Sequence, residues 1–231
     1  MALFDGLYGY EMIMLVMGVV LFFVVMGLLI YQVKKNRNPA VVAGCFIFPI
    51  AMMGYPGVKT IEPGKIEKTV HDLQQNPTDQ AKRQELQKQV TEAESRPYRA
   101  PENLVRIAAA EYALGNEPAA KFNLDQALHT DPHVPAGQDL QQKIASVDKV
   151  RRLSAAVQAN PADAGAKTEL KKTLDTVNEK PIANPAALAT VAEAHAAVGD
   201  NQKAAATAAT ALKIDPRISS ADKLRVLATR P

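Results

Sequence analysis

ALGNEPAAKFNLDQALHTDP, residues 113–132, is followed 84 residues later by a closely similar stretch, AVGDNQKAAATAATALKIDP, residues 197–216. When the chain is aligned with itself at this offset, residues 76–132 share 18 identities in 57 positions with the later copy, without a gap. Turn residues and apolar residues stay in step over the whole length. The pattern predicts an internal duplication, with units at 64–147 and 148–231 that follow a linker at 59–63.

The turn residues of the repeated stretch predict helices joined by short connections. Pro101 suits the first turn of a helix, where a backbone N–H is not needed, and Gly115 suits the left-handed position just past a helix end. Asn116 is placed to cap the next helix, and Asp131, which precedes Pro132, ends it. Each of these residues has a counterpart 84 positions later, and apolar residues recur between them at helical spacing. Further helices are predicted over 78–95, 138–159 and 162–179.

These positions resemble the tetratricopeptide repeat (TPR) family, in which each helical hairpin of about 34 residues carries characteristic Gly, Ala and Pro positions. Residues 101–134 and 185–218 match that pattern. The bulky aromatic residues usual in the family are few: Tyr112 and Phe122 in the first copy and none in the second. The resemblance implies an all-α fold, in which an N-terminal transmembrane helix or helical hairpin precedes a TPR-like α-solenoid built from the 84-residue duplication.

Residues 1–58 are predicted to form a membrane anchor. They contain nine of the twelve aromatic residues and only five charged ones. Residues 12–33 are uncharged and, at about 1.5 Å per residue, long enough to cross a hydrocarbon core of about 30 Å. A second span is predicted at 39–58, although its Pro and Gly residues disfavour a regular helix; a re-entrant or surface-lying segment is the alternative.

Small residues in the second segment bear on helix packing. Ala40 and Gly44 are four positions apart, which is the spacing that allows membrane helices to approach closely. The alternative is that Ala and Gly are simply common in membrane helices. The two residues are therefore candidates for a membrane helix contact.

The basic residues between the two segments predict the orientation. Lys34, Lys35 and Arg37 lie there, and no basic residue precedes the first segment. Because basic loops remain on the cytoplasmic side, two spans would place the C-terminal part in the periplasm, and a single span would leave it in the cytoplasm. The expected location is the bacterial inner membrane, with a periplasmic C-terminal domain.

Residues 59–231 lack the signatures of an enzyme or a nucleic-acid-binding protein. They carry 24 basic against 22 acidic residues, so they have no strongly basic surface for a phosphate backbone. The four histidines have no zinc-ligand spacing, and no phosphate-binding or nucleophile motif occurs. The single cysteine excludes an intramolecular disulfide. The sequence therefore predicts no enzymatic activity, cofactor, metal, nucleic acid or small-molecule substrate.

The TPR resemblance implies a groove for protein partners, lined by the first helix of each hairpin. The family's groove positions fall on Glu102, Val105, Ala109, Tyr112 and Ala113 in the first copy. The alternative is that these residues only pack against the neighbouring hairpin. In the second copy the groove positions fall on Ala186, Ala189, Glu193, Ala196 and Ala197.

The function implied by this resemblance is a membrane-anchored scaffold or accessory subunit of a bacterial inner-membrane complex. Its partners would be other protein subunits, with membrane lipid around the anchor. One alternative is a periplasmic, chaperone-like substrate binder, with a layout similar to that of the TPR-bearing subunit of cytochrome c maturation. Another is a singly spanning protein with a cytoplasmic TPR domain.

Overall fold

The chain folds into helices joined by short turns. A computed structural model describes residues 9–35, 45–50, 63–95, 100–179 and 181–229, and no strand occurs among them. This confirms the predicted all-α fold class. The helices are Gly9–Lys34 (α1), Pro63–Gln75 (α2), Gln80–Glu94 (α3), Pro101–Leu114 (α4), Glu117–Thr130 (α5), Pro135–Ala159 (α6), Ala164–Asn178 (α7), Pro185–Val198 (α8), Asn201–Ile214 (α9) and Ala221–Ala228 (α10).

Backbone contacts divide the chain into two compact units, of which the first is built on α1. This unit comprises Met1–Gly64 and Ala93–Ala100. Within α1, the stretch Ile13–Tyr31 has a mean hydropathy of 3.1, and 11% of it is buried. It is long and apolar enough to cross a membrane, a property shared by signal sequences and by some core helices of soluble proteins.

Only a small part of the second predicted span falls within the described residues. Ala40 and Gly44 lie outside them, and 45–50 includes one helical turn. Phe46 packs edge-to-face against Phe22 of α1, with the ring centroids 5.4 Å apart. The described segment 45–50 therefore lies beside α1 at this point.

The second unit comprises Lys65–Glu92 and Pro101–Pro231, and its helix ends recur at the offset seen in the sequence. Helices α3, α4 and α5 begin and end 84 residues before α7, α8 and α9, and α2 ends 84 residues before α6. The predicted boundary between the two repeat units, at 147/148, falls inside α6. That helix runs without a break for 25 residues and is therefore common to both units.

The helix ends follow the predicted signals, with one exception. Gly115 and Gly199 have φ angles of 97° and 88°, the left-handed conformation that glycine adopts without steric cost. The side chain of Asp200 accepts a hydrogen bond from the backbone N–H of Lys203 at 3.3 Å and so caps α9. Asn116 stands at the same position before α5 but makes no side-chain capping bond, so the predicted cap is wrong there.

Aspartates at the turns also repeat their hydrogen bonds. The side chain of Asp131 accepts from the backbone N–H of His133 at 2.9 Å, and Asp215 does the same with Arg217 at 2.9 Å. Such bonds to the backbone two residues ahead stabilise a turn and stop the preceding helix. Equivalent turns in the two copies are therefore closed by the same local chemistry.

Two buried positions of the core carry side chains of different size in the two copies. A Cβ atom at Gly137 of α6 would lie only 3.2 Å from Val105 Cγ2 and 3.1 Å from Leu128 Cδ2. At the position 84 residues later, α10 has Ala221, and the counterpart of Val105 is Ala189; both are buried. A larger side chain on one helix is thus matched by a smaller one on its neighbour, as close packing requires.

A buried arginine connects three segments of this unit. The guanidinium of Arg83, on α3, donates hydrogen bonds to the carbonyls of Pro77 at 3.0 Å, Ala113 at 3.2 Å and Ala183. Ala113 lies at the C-terminal end of α4, where the helix dipole favours a cation. These bonds offset the cost of burying the charge and fix the segment that leads into α8.

Candidate partner-binding groove

The predicted groove residues of the first copy are largely inaccessible. Val105, Tyr112 and Ala113 are buried among the helices of their own chain, whereas Glu102 is exposed and Ala109 is half-buried. The three buried side chains therefore take part in the packing of α4 with its neighbours, as the alternative interpretation of these positions expects.

Three of the five predicted groove residues of the second copy line an open cavity of about 360 Å³. Helix α8 contributes Glu193, Ala196 and Ala197 to its wall, while the other two predicted positions, Ala186 and Ala189, lie outside the lining. We call this cavity the α8–α10 groove. The remaining lining residues are Gln158 at the end of α6 and Lys223, Val226 and Leu227 of α10.

One position in the wall of the groove has a much smaller side chain than its counterpart in the first copy. Ala196 is the counterpart of Tyr112, whose ring is buried in the first copy. The helix that follows the second hairpin is also shorter: α10 has eight residues, whereas α6 has 25. Val226 at the groove is 57% exposed, which gives this surface an accessible apolar side chain.

One ion pair crosses the groove. Lys223 Nζ lies 3.8 Å from Glu193 Oε2, and the lysine side chain is 69% exposed. A pair this exposed and this long stabilises the fold by at most about 1 kcal/mol. Lys223 is therefore able to exchange its partner for a carboxylate on a bound molecule.

A network of charges lies near Tyr112 in the first copy. Lys121 of α5 pairs with Glu117 at 2.7 Å and with Asp148 of α6 at 3.3 Å, and Arg151 pairs with Asp148 at 2.8 Å. Burial raises the pKa of the nearby Tyr112 hydroxyl, and the charges of Glu117 and Asp148 add to this effect. In the second copy Ala205 replaces Lys121 and Asn201 replaces Glu117, so the ion pair between these two positions is not repeated.

A second cavity, of about 300 Å³, is polar and lies between α7, α8 and the start of α9. His195 faces it, is buried, and has Nε2 3.3 Å from Asn178 Nδ2 and Nδ1 3.7 Å from Asp200 Oδ2. Burial lowers the pKa of His195. Two lysines and two carboxylates among the lining residues balance in charge, and the described residues contain no group of three metal-ligating side chains. The charged lining residues are Lys171, Asp175, Asp200 and Lys203.

Sequence reasoning missed this cavity. His195 has no zinc-ligand spacing to another residue, and a cavity between helices leaves no local pattern in the sequence. The repeat held a usable signal: the counterpart of His195 is Glu111, so both copies place a polar side chain at a position inside an apolar helix, and both side chains are buried.

Comparison of the chain with models of known protein families, with curated proteins and with solved structures finds no match. The functional interpretation therefore depends on the helices and cavities of this chain alone.

Proposed function

We propose that the chain is a membrane-anchored scaffold that binds protein partners through the α8–α10 groove. The observation that carries this proposal is the groove itself, which combines an apolar wall of Ala196 and Ala197 with the exposed side chain of Val226. Accessible apolar surface rimmed by polar residues is typical of protein interaction sites. Lys223 and Glu193 supply that polar rim.

The helical domain, in this proposal, is a TPR-like α-solenoid that arose by duplication of an 84-residue unit. The recurring helix ends of α3–α5 and α7–α9 support this, as do the two left-handed glycines at the hairpin turns. A single hairpin cannot bury its apolar face, whereas stacked hairpins bury each other's. Copying a whole unit preserves the stacking surfaces on both of its sides.

The anchor, in this proposal, is a hairpin of two membrane helices in a bacterial inner membrane. The length and hydropathy of Ile13–Tyr31 support the first span, and the packing of Phe46 on Phe22 supports a second segment that returns beside it. With the basic loop in the cytoplasm, the helical domain lies in the periplasm. Alkaline phosphatase fused after Pro231 would then be active in cells, and an inactive fusion would overturn this orientation.

Filling the groove tests the binding site. Ala196→Tyr introduces the side chain that the first copy has at this position, and should remove proteins that copurify with the full-length chain after mild detergent extraction of its native membranes. Ala206→Tyr adds the same side chain at an exposed position on α9, outside the groove lining, and should retain them. If the two variants copurify with the same proteins in the same amounts, the groove is not the binding site.

A further inference from the structure

A second exposed apolar side chain of the helical unit lies on α5. Phe122 is 61% exposed, and within described residues 65–92 and 101–229 it and Val226 are the large hydrophobic residues that remain exposed. An aromatic ring buries a large area when it enters a cavity, at about 25 cal/mol per Å² of apolar surface. Burial of the exposed Phe122 ring in a binding site would therefore be energetically favourable.

We propose that the α8–α10 groove of one molecule binds α5 of a second copy of this chain, with Phe122 inserted into the groove. This inference rests on the proposed function, since it names a partner for the same groove. A cavity of about 360 Å³ beside Val226 offers the ring an apolar surface. The first copy of the repeat already places an aromatic side chain, Tyr112, at the position that Ala196 leaves vacant.

The charges beside the two surfaces are complementary. Asp125 lies three residues after Phe122, on the same face of α5, and it is exposed and makes no ion pair with the described residues. Lys223 at the groove is 69% exposed and is held by Glu193 only at 3.8 Å. When Phe122 enters the groove, Asp125 provides the carboxylate that Lys223 can take as its partner.

The two surfaces lie on different helices of one molecule, and two kinds of assembly satisfy the contact. Two copies can exchange it reciprocally in a closed two-fold dimer, or each copy can offer Phe122 to one neighbour and the groove to another, which builds rings or open chains. In either assembly every Phe122 that enters a groove lies on a different copy from that groove.

Disulfide trapping between different copies tests the contact directly. The full-length chain carrying Cys45→Ser is prepared in mild detergent in two forms, one with Asp125→Cys and one with Lys223→Cys. When the two are mixed and oxidised, the yield of cross-linked dimer should be about tenfold above that of either form alone. If the mixture yields no more dimer than the separate forms, the proposed contact is wrong.

Two further variants test which side chains carry the contact. Phe122→Ser in the Asp125→Cys form, or Ala196→Tyr in the Lys223→Cys form, should each lower the yield about tenfold. Ala145→Tyr, at an exposed position on α6 outside the groove lining, should leave it unchanged. Thermal unfolding followed by circular dichroism shows that each variant is folded. A yield that is unaffected by both Phe122→Ser and Ala196→Tyr contradicts the contact.

The same variants distinguish failure of the self-association proposal from failure of the proposed function of the groove. If mixing gives no excess dimer but Ala196→Tyr still removes copurifying proteins, self-association is wrong and the proposed function stands. If the variant changes neither the cross-link nor the copurified proteins, both proposals are wrong.

Discussion

At the scale of single residues, the two copies differ in residue type at a few positions, and two of these positions line cavities in the second copy. Tyr112 is buried in the first copy, and its counterpart Ala196 lines a cavity in the second. His195 is buried at the position where the first copy has Glu111. The same helical frame thus buries Tyr112 in the first copy, whereas the second copy has the α8–α10 groove and the polar cavity beside His195.

Burial of His195 predicts a pH-dependent stability. Burial lowers its pKa, and Lys203 lowers it further, against the opposing effect of the Asp200 and Asp175 carboxylates. The unfolded chain therefore binds this proton more readily than the folded chain does. The contribution of His195 to stability is complete above about pH 6.5 and is lost as the pH falls through the lower pKa of the folded state.

The measurement is the melting temperature at about pH 7 and about pH 5, followed by circular dichroism in detergent. Wild type should lose more stability over this range than His195→Asn, because the variant has no imidazole to protonate. His129→Asn, which changes an exposed histidine on α5, should behave as wild type. Equal losses in wild type and His195→Asn would contradict the assigned role of burial.

At the scale of helices, local signals and distant contacts differ in how well the sequence predicts them. The ends of α4 and α5 follow from Pro101, Gly115 and Asp131, because each acts on its own backbone within a few residues. The burial of Val105 depends on Gly137, 32 positions later, and no local pattern encodes that distance. Sequence therefore predicts the helices and the family's groove positions, but not which of those positions α6 covers.

The close approach of α6 to α4 predicts an effect of adding a methyl group. Gly137→Ala would place its Cβ 3.1 Å from Leu128 and 3.2 Å from Val105, and overpacking of this kind costs about 1–3 kcal/mol. Gly64→Ala is the matched control, since Gly64 also lies in a helix and nothing stands within 4 Å of its added Cβ.

Urea unfolding of the full-length chain in detergent measures both variants. Gly137→Ala should lower the free energy of unfolding, and Gly64→Ala should leave it unchanged or raise it, because alanine has the higher helix propensity. Equal free energies of unfolding for Gly137→Ala and wild type would contradict the close packing of α6 against α4.

At the scale of the whole molecule, the chain contains an apolar N-terminal helix and a helical unit with an open groove. Ile13–Tyr31 is long and apolar enough to cross a membrane, and the groove combines apolar and charged lining residues with the exposed side chain of Val226. The central claim is that protein partners contact this groove in the cell.

Photo-crosslinking in living cells tests this claim most directly. A photoreactive phenylalanine analogue replaces Val226 in the groove, or Ala206 on α9 as the control, and the cells are irradiated before extraction. The account predicts a protein adduct from position 226 that is absent from position 206, with twice the mass of the chain where the partner is a second copy. If position 226 yields no adduct beyond those of position 206, the groove is not where this protein meets its partners.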